Sequence, residues 1–148
     1  MSRPRRSIQP WRIHFFQRHP SDDAECAVPA IEFFEELSDT VVAQIKAVLD
    51  AVAEAPPPSF SGGGKWEAMK GDMAGFFEVR VSGNDKAGKR MNHRLFCVLV
   101  RDDQALGGSA IVCIGGLSKE LREAAHPRDY ERIRQFRDEF LTRRSVFK

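Results

Sequence analysis

Cysteine is scarce in this 148-residue chain, and its placement rules out two kinds of protein. Cys26, Cys97 and Cys113 are odd in number and contain no CxxC pair, so the sequence predicts neither a disulfide framework nor a zinc cluster. His14, His19, His93 and His126 have no metal-ligand spacing with one another or with the cysteines. No apolar run approaches the length of a membrane span. The stretch after the basic start MSRPRRSIQP is interrupted by Arg12 and His14 before it could form a signal-peptide core. The expectation is a cytoplasmic protein with no membrane partner, no metal and no cofactor. Phosphate-cradling glycine loops are missing too: GGGK and GGxxK fall short of a P-loop, and no GxSxG marks a serine nucleophile. Nucleotide hydrolysis and serine-based acyl transfer are disfavoured.

Net charge is also small, at +2, but it is unevenly spread. Residues 1–64 carry 6 basic and 9 acidic side chains, whereas residues 65–148 carry 17 basic and 12 acidic. The positive field therefore lies on the second half, where it attracts polyanions or an acidic protein partner. The length suits a single core, and the expected organisation is a flexible basic tail over residues 1–10 followed by one domain over 11–148.

WRIHFF, residues 11–16, alternates large apolar with polar side chains and predicts a first strand. Pro29 suits the first turn of a short helix whose Ile31, Phe34 and Leu37 share one face. Ser38 or Asp39 can cap a second helix, TVVAQIKAVLDAVAEA, with Val41, Ile45, Val48, Leu49 and Val52 on one stripe. APPPSFSGGG, residues 55–64, cannot continue it and reads as a loop. KWEAMKGDM holds a short strand, and FFEVRV, RLFCVLV and AIVCIGGL are three stronger ones on β-branched and aromatic content. HPRDYERIRQFRDEFL closes the chain as a helix with Tyr130, Ile133, Phe136, Phe140 and Leu141 on its stripe. The expected class is α+β: an N-terminal strand and a helical hairpin packed on one face of a twisted antiparallel sheet, with a C-terminal helix.

Two cations stand inside the predicted strands. In FFEVRV the alternation sends Phe77, Val79 and Val81 toward the helices and Phe76, Glu78 and Arg80 the other way. A hairpin centred on residue 87 sets Arg80 opposite or nearly opposite Arg94, an arrangement that costs stability unless an anion lies between them. Glu78 is the internal candidate for that anion and a phosphate the external one. Lys86, Lys89 and Arg90 in the connecting loop add charge suited to a nucleic-acid backbone, and His93 and Phe76 are candidates for stacking on unpaired bases. After the last strand, GGLSKELREAAHPRDY brings Lys119 and Arg122, then His126 and Tyr130 four residues apart.

WRIHFF, the helix pair, KWEAMKGDMAGFFEVRV, RMNHRLFCVLV, IVCIGGLSKE and a terminal helix bearing Tyr130 resemble, in this order, the RelE superfamily of bacterial toxins, closest to its phage-derived, HigB-like branch. The likeness spans about residues 11–141. It implies a toxin of a type II toxin–antitoxin pair that cleaves mRNA, often on the ribosome, without a metal, through attack of the substrate 2′-hydroxyl on the adjacent phosphate. By the same resemblance Arg80 and Arg94 bind the scissile phosphate, Lys119 matches the lysine after the last strand, and His126, with Tyr130 as runner-up, transfers protons. The implied partners are mRNA, the ribosome and an antitoxin of helix-turn-helix type. Many relatives carry a second basic residue after that lysine, where this chain has Glu120. That feature and the low net charge favour an alternative: a non-catalytic RNA- or protein-binding module on the same fold.

Overall fold

The computed structural model describes residues 9–55 and 64–148. Its elements are β1 (Arg12–Phe15), α1 (Pro29–Glu35), α2 (Asp39–Glu54), β2 (Trp66–Ala68), β3 (Phe76–Asn84), β4 (Arg90–Asp103), β5 (Gly108–Glu120) and α3 (Pro127–Arg143). The chain is thus α+β, in the expected order of elements. The tail expected over residues 1–10 and the loop expected over 55–64 fall almost entirely outside the described residues.

One five-stranded sheet is ordered β1-β5-β4-β3-β2. β2 through β5 pair antiparallel, as their short connections require. β1 instead pairs parallel with β5, from Arg12 opposite Ala110 to Phe15 opposite Cys113, so the sheet is mixed rather than wholly antiparallel. The helical hairpin is the crossover that carries the chain from β1 back to the sheet.

Helices cover both faces, not one. On the first face Phe33 of α1, Leu37 of the connection and Val41, Ile45 and Leu49 of α2 pack on Val79, Val81, Leu95, Cys97, Ile111 and Cys113. On the second, Ile133, Phe136 and Phe140 of α3 pack on Phe76, Phe96, Val98, Val112 and Ile114. Each set comes from alternate strand positions, so a single hairpin feeds both cores. The inward face of α1 is built on Ala30 and Phe33, with Ile31 and Phe34 only half-buried, and Leu141 of α3 is exposed. Cys97 and Cys113 are buried opposite each other with their sulfurs 3.9 Å apart, small core residues as expected.

Close approach of α1 depends on Gly116, where a Cβ would stand 2.4 Å from the Phe33 ring. Gly83 serves α2 in the same way, since a Cβ there would lie 2.5 Å from Val41. Ser38 accepts from the Val41 amide and caps α2. At α3 the cap is His126, whose ring Nδ1 accepts from the Arg128 amide, while Asp129 accepts from the His126 amide. That reciprocal pair fixes the helix start over the sheet.

Candidate anion site on the open half of the sheet

α3 covers only part of its face, and the uncovered part carries the charges. The β3–β4 register centres on residue 87 and sets Arg80 opposite Arg94, Ser82 opposite Asn92 and Asn84 opposite Arg90. Across β4, Asn92 faces Lys119 of β5. By strand alternation Arg80, Ser82, Arg90, Asn92, Arg94 and Lys119 therefore project to one side, beside the start of α3.

Glu78 lies beneath the arginines. Its side chain is 8% exposed, with Oε1 3.6 Å from Arg80 Nε and Oε2 4.0 Å from Arg94 Nη1. Oε2 has no hydrogen-bond partner among the described residues. Burial raises the Glu78 carboxyl above the ordinary carboxylate range, opposed by Arg94 and then Arg80. One carboxylate thus answers two guanidiniums, which is how the register tolerates like charges directly opposed. Arg80 also reaches the exposed Glu67 of β2 at 3.0 Å, and Arg94 donates to the Tyr130 hydroxyl at 3.0 Å.

Ser82 donates to Asn92 Oδ1 at 2.7 Å, which turns the Asn92 amide nitrogen away as a spare donor. These two side chains and the two arginines line a recess of about 110 Å³. A larger cleft of about 210 Å³ runs between α1 and α3, but Glu32, Glu36 and Asp129 line it with Arg132 as its one cation, so it is no anion site.

Lys119 joins this face in pairing with Asp129 at 2.9 Å. The contact raises the Lys119 ammonium, and, together with the His126 amide, lowers the Asp129 carboxyl. His126 is exposed at the α3 cap, with Nδ1 occupied by the Arg128 amide. Tyr130 is half-buried, its ring edge-on to Phe96 and its hydroxyl on Arg94.

The loop cations divide. Lys86 lies on the opposite side of the molecule, beside Phe15, Ile31, Phe34 and Lys46 along α1 and α2. Lys89 is paired with Glu120, which raises its ammonium. Arg90 continues the Arg94 row, and Arg122 is exposed in the turn after β5 with a left-handed φ of 79°.

Neither aromatic offered for base stacking is available. Phe76 is 0% exposed and capped by the Arg137 guanidinium, 4.5 Å from the ring centre. His93 is likewise sealed on the α1/α2 side, where Nε2 donates to the Gly83 carbonyl at 2.9 Å and Nδ1 pairs with the Ser118 hydroxyl at 2.7 Å. Parity carried the signal for His93, because a neighbour of Arg94 in a strand points to the other face. Three members of the site were not singled out from sequence: Asn92, Glu67 and Asp129. Asn92 was accessible from its two-residue spacing to Arg94, whereas Glu67 and Asp129 arrive from separate elements.

Among the described residues no three His, Cys, Asp or Glu side chains gather as metal ligands, and no helix is long and apolar enough to cross a membrane. Comparison with family models, with curated proteins and with solved structures returned no match.

Proposed function

We propose that this protein is a metal-independent mRNA endoribonuclease, the toxin of a type II toxin–antitoxin pair of the RelE superfamily in its HigB-like branch. The observation that carries the reading is the pair Arg80 and Arg94, set opposite each other on the open half-face and sharing the buried carboxylate of Glu78. Two fixed guanidiniums beside one recess suit a phosphate that gains negative charge as it becomes pentacoordinate. The order of elements on which the resemblance rests also supports it.

In the proposed reaction the substrate 2′-oxygen bonds to phosphorus while the bond to the 5′-oxygen breaks, leaving a 2′,3′-cyclic phosphate and a 5′-hydroxyl. One group takes the 2′ proton and one supplies a proton to the departing oxygen. Tyr130 fits proton transfer through its contact with Arg94, and His126 keeps a ring nitrogen beyond its capping bond. Lys119 supplies a further cation, released from Asp129 when RNA arrives. Arg90 and Arg122 extend the backbone contact. The partners in this reading are mRNA, the ribosome in the cytoplasm, and an antitoxin encoded beside the toxin.

Expression of the wild-type chain without its neighbour arrests growth, and Arg80→Ala with Arg94→Ala lowers cleavage by about two to three orders of magnitude. New RNA 5′ ends mapped with and without ribosomes provide the readout. A folded double variant that cleaves like the wild type would sink the assignment. The second reading, a binding module without turnover, draws on Lys119 and Lys89, both already paired with carboxylates. Retained RNA with no new ends identifies it.

A further inference from the structure

We propose that Glu78 selects the kind of phosphate the arginine pair accepts, favouring the single negative charge of a phosphodiester over the double charge of a phosphate monoester. The inference rests on the reading of Arg80 and Arg94 as phosphate ligands.

The geometry supplies the charge count. Arg80 and Arg94 bring two positive charges to the recess, and Glu78, buried behind them with one oxygen toward each, removes one. A ligand with one charge completes neutrality. A ligand with two places the second within a few ångströms of a carboxylate that water cannot screen, and such like-charge contact is strongly unfavourable. Glu67 also faces Arg80, but it is exposed and water screens it. From α3 the Tyr130 hydroxyl faces Arg94, and across β5 the Lys119–Asp129 pair contributes no net charge. Glu78 alone is therefore both close and dry. Phosphates inside an RNA chain carry one charge each, whereas the terminal phosphate of a free nucleotide or a phosphorylated chain end carries about two at neutral pH. The arrangement turns away the free nucleotides that would otherwise compete for two arginines.

The open Oε2 fits this role. A carboxylate meant only to anchor arginines would be saturated with donors, yet this oxygen has none within hydrogen-bond distance among the described residues. Burial also lets Glu78 take a proton more readily than an exposed glutamate, and the protonated site is doubly positive.

The test is a pair of affinities measured by calorimetry near pH 8 with adenosine 5′-monophosphate, a dianion, and the dinucleotide ApA, a monoanion. Glu78→Gln strengthens the monophosphate by roughly tenfold more than the dinucleotide, while Glu67→Gln moves the ratio less than about twofold. Equal strengthening of both ligands by Glu78→Gln overturns the inference and leaves the phosphate reading intact. If Arg80→Ala with Arg94→Ala weakens neither ligand, that reading itself fails. A second measurement needs no variant: in the wild type, preference for sulfate over dimethyl phosphate rises as pH falls from about 8 to about 4, below the ordinary glutamate range, while both probes keep their charge. His126 and Asp129 also lie near the site, so the same series on Glu78→Gln serves as the control for them. A flat wild-type ratio overturns the inference.

Discussion

His93 and Arg94 are consecutive in β4 and share almost nothing else. The histidine points to the α1/α2 side, is fully buried, and has both ring nitrogens paired within the protein. The arginine points to the α3 side, at the margin of that helix, and divides its guanidinium between Glu78 and Tyr130. The same contrast holds for the two faces at large: one is covered along β3, β4 and β5 by two helices, the other by a single helix that stops short. Polar groups on a fully covered face must be saturated internally and become part of the core. Polar groups on a half-covered face can be positioned by the core and still meet a ligand.

Substitutions on the two faces should accordingly fail in different ways. Under the proposed function the largest effect belongs to the arginine pair, whose double alanine variant should lose cleavage while keeping its circular dichroism. Next is His93→Ala, which leaves a cavity and strands the Gly83 carbonyl. It should cost about 3 kcal/mol in urea unfolding and affect any proposed RNA binding only through stability. If His93→Ala abolished cleavage with no loss of stability, the division between the faces would be wrong.

Asp129→Ala sits between these extremes, since Asp129 caps α3 and holds Lys119. A loss of about 1 kcal/mol is expected. Because the folded Asp129 carboxyl lies below its ordinary value, this contribution is present above the usual carboxylate range and fades as pH falls through the lowered one. Wild type and variant should converge in stability in strong acid. The smallest effect is Lys89→Ala, an exposed pair with Glu120, for which no measurable shift in the urea midpoint is expected. A clear shift would mean that the hairpin end supports the fold more than its exposure suggests.

Much of this comparison was legible in the residues. Alternation in FFEVRV and a hairpin centred on residue 87 predict Arg80 opposite or nearly opposite Arg94, and the register sets them directly opposite. The same alternation assigned His93 to the other side, and treating it as a base-stacking residue overlooked that. The apolar stripe of α3, with Phe76, Phe96 and Val98 on the arginine side, likewise signalled a second core. Lys86 was not legible, because loop residues carry no period, and the structure turns it toward α1 and α2.

What the sequence determined by itself is local: helix stripes, caps, strand alternation and the hairpin centre, all set by steric repeats of a few residues. The tertiary structure decided the parallel partner of β1, the burial of Glu78, and the meeting of Lys119 with Asp129 and of Arg94 with Tyr130. Those depend on contacts between segments far apart in the chain. Dielectric environment and ion pairing arise only once the separate elements have excluded water from one another.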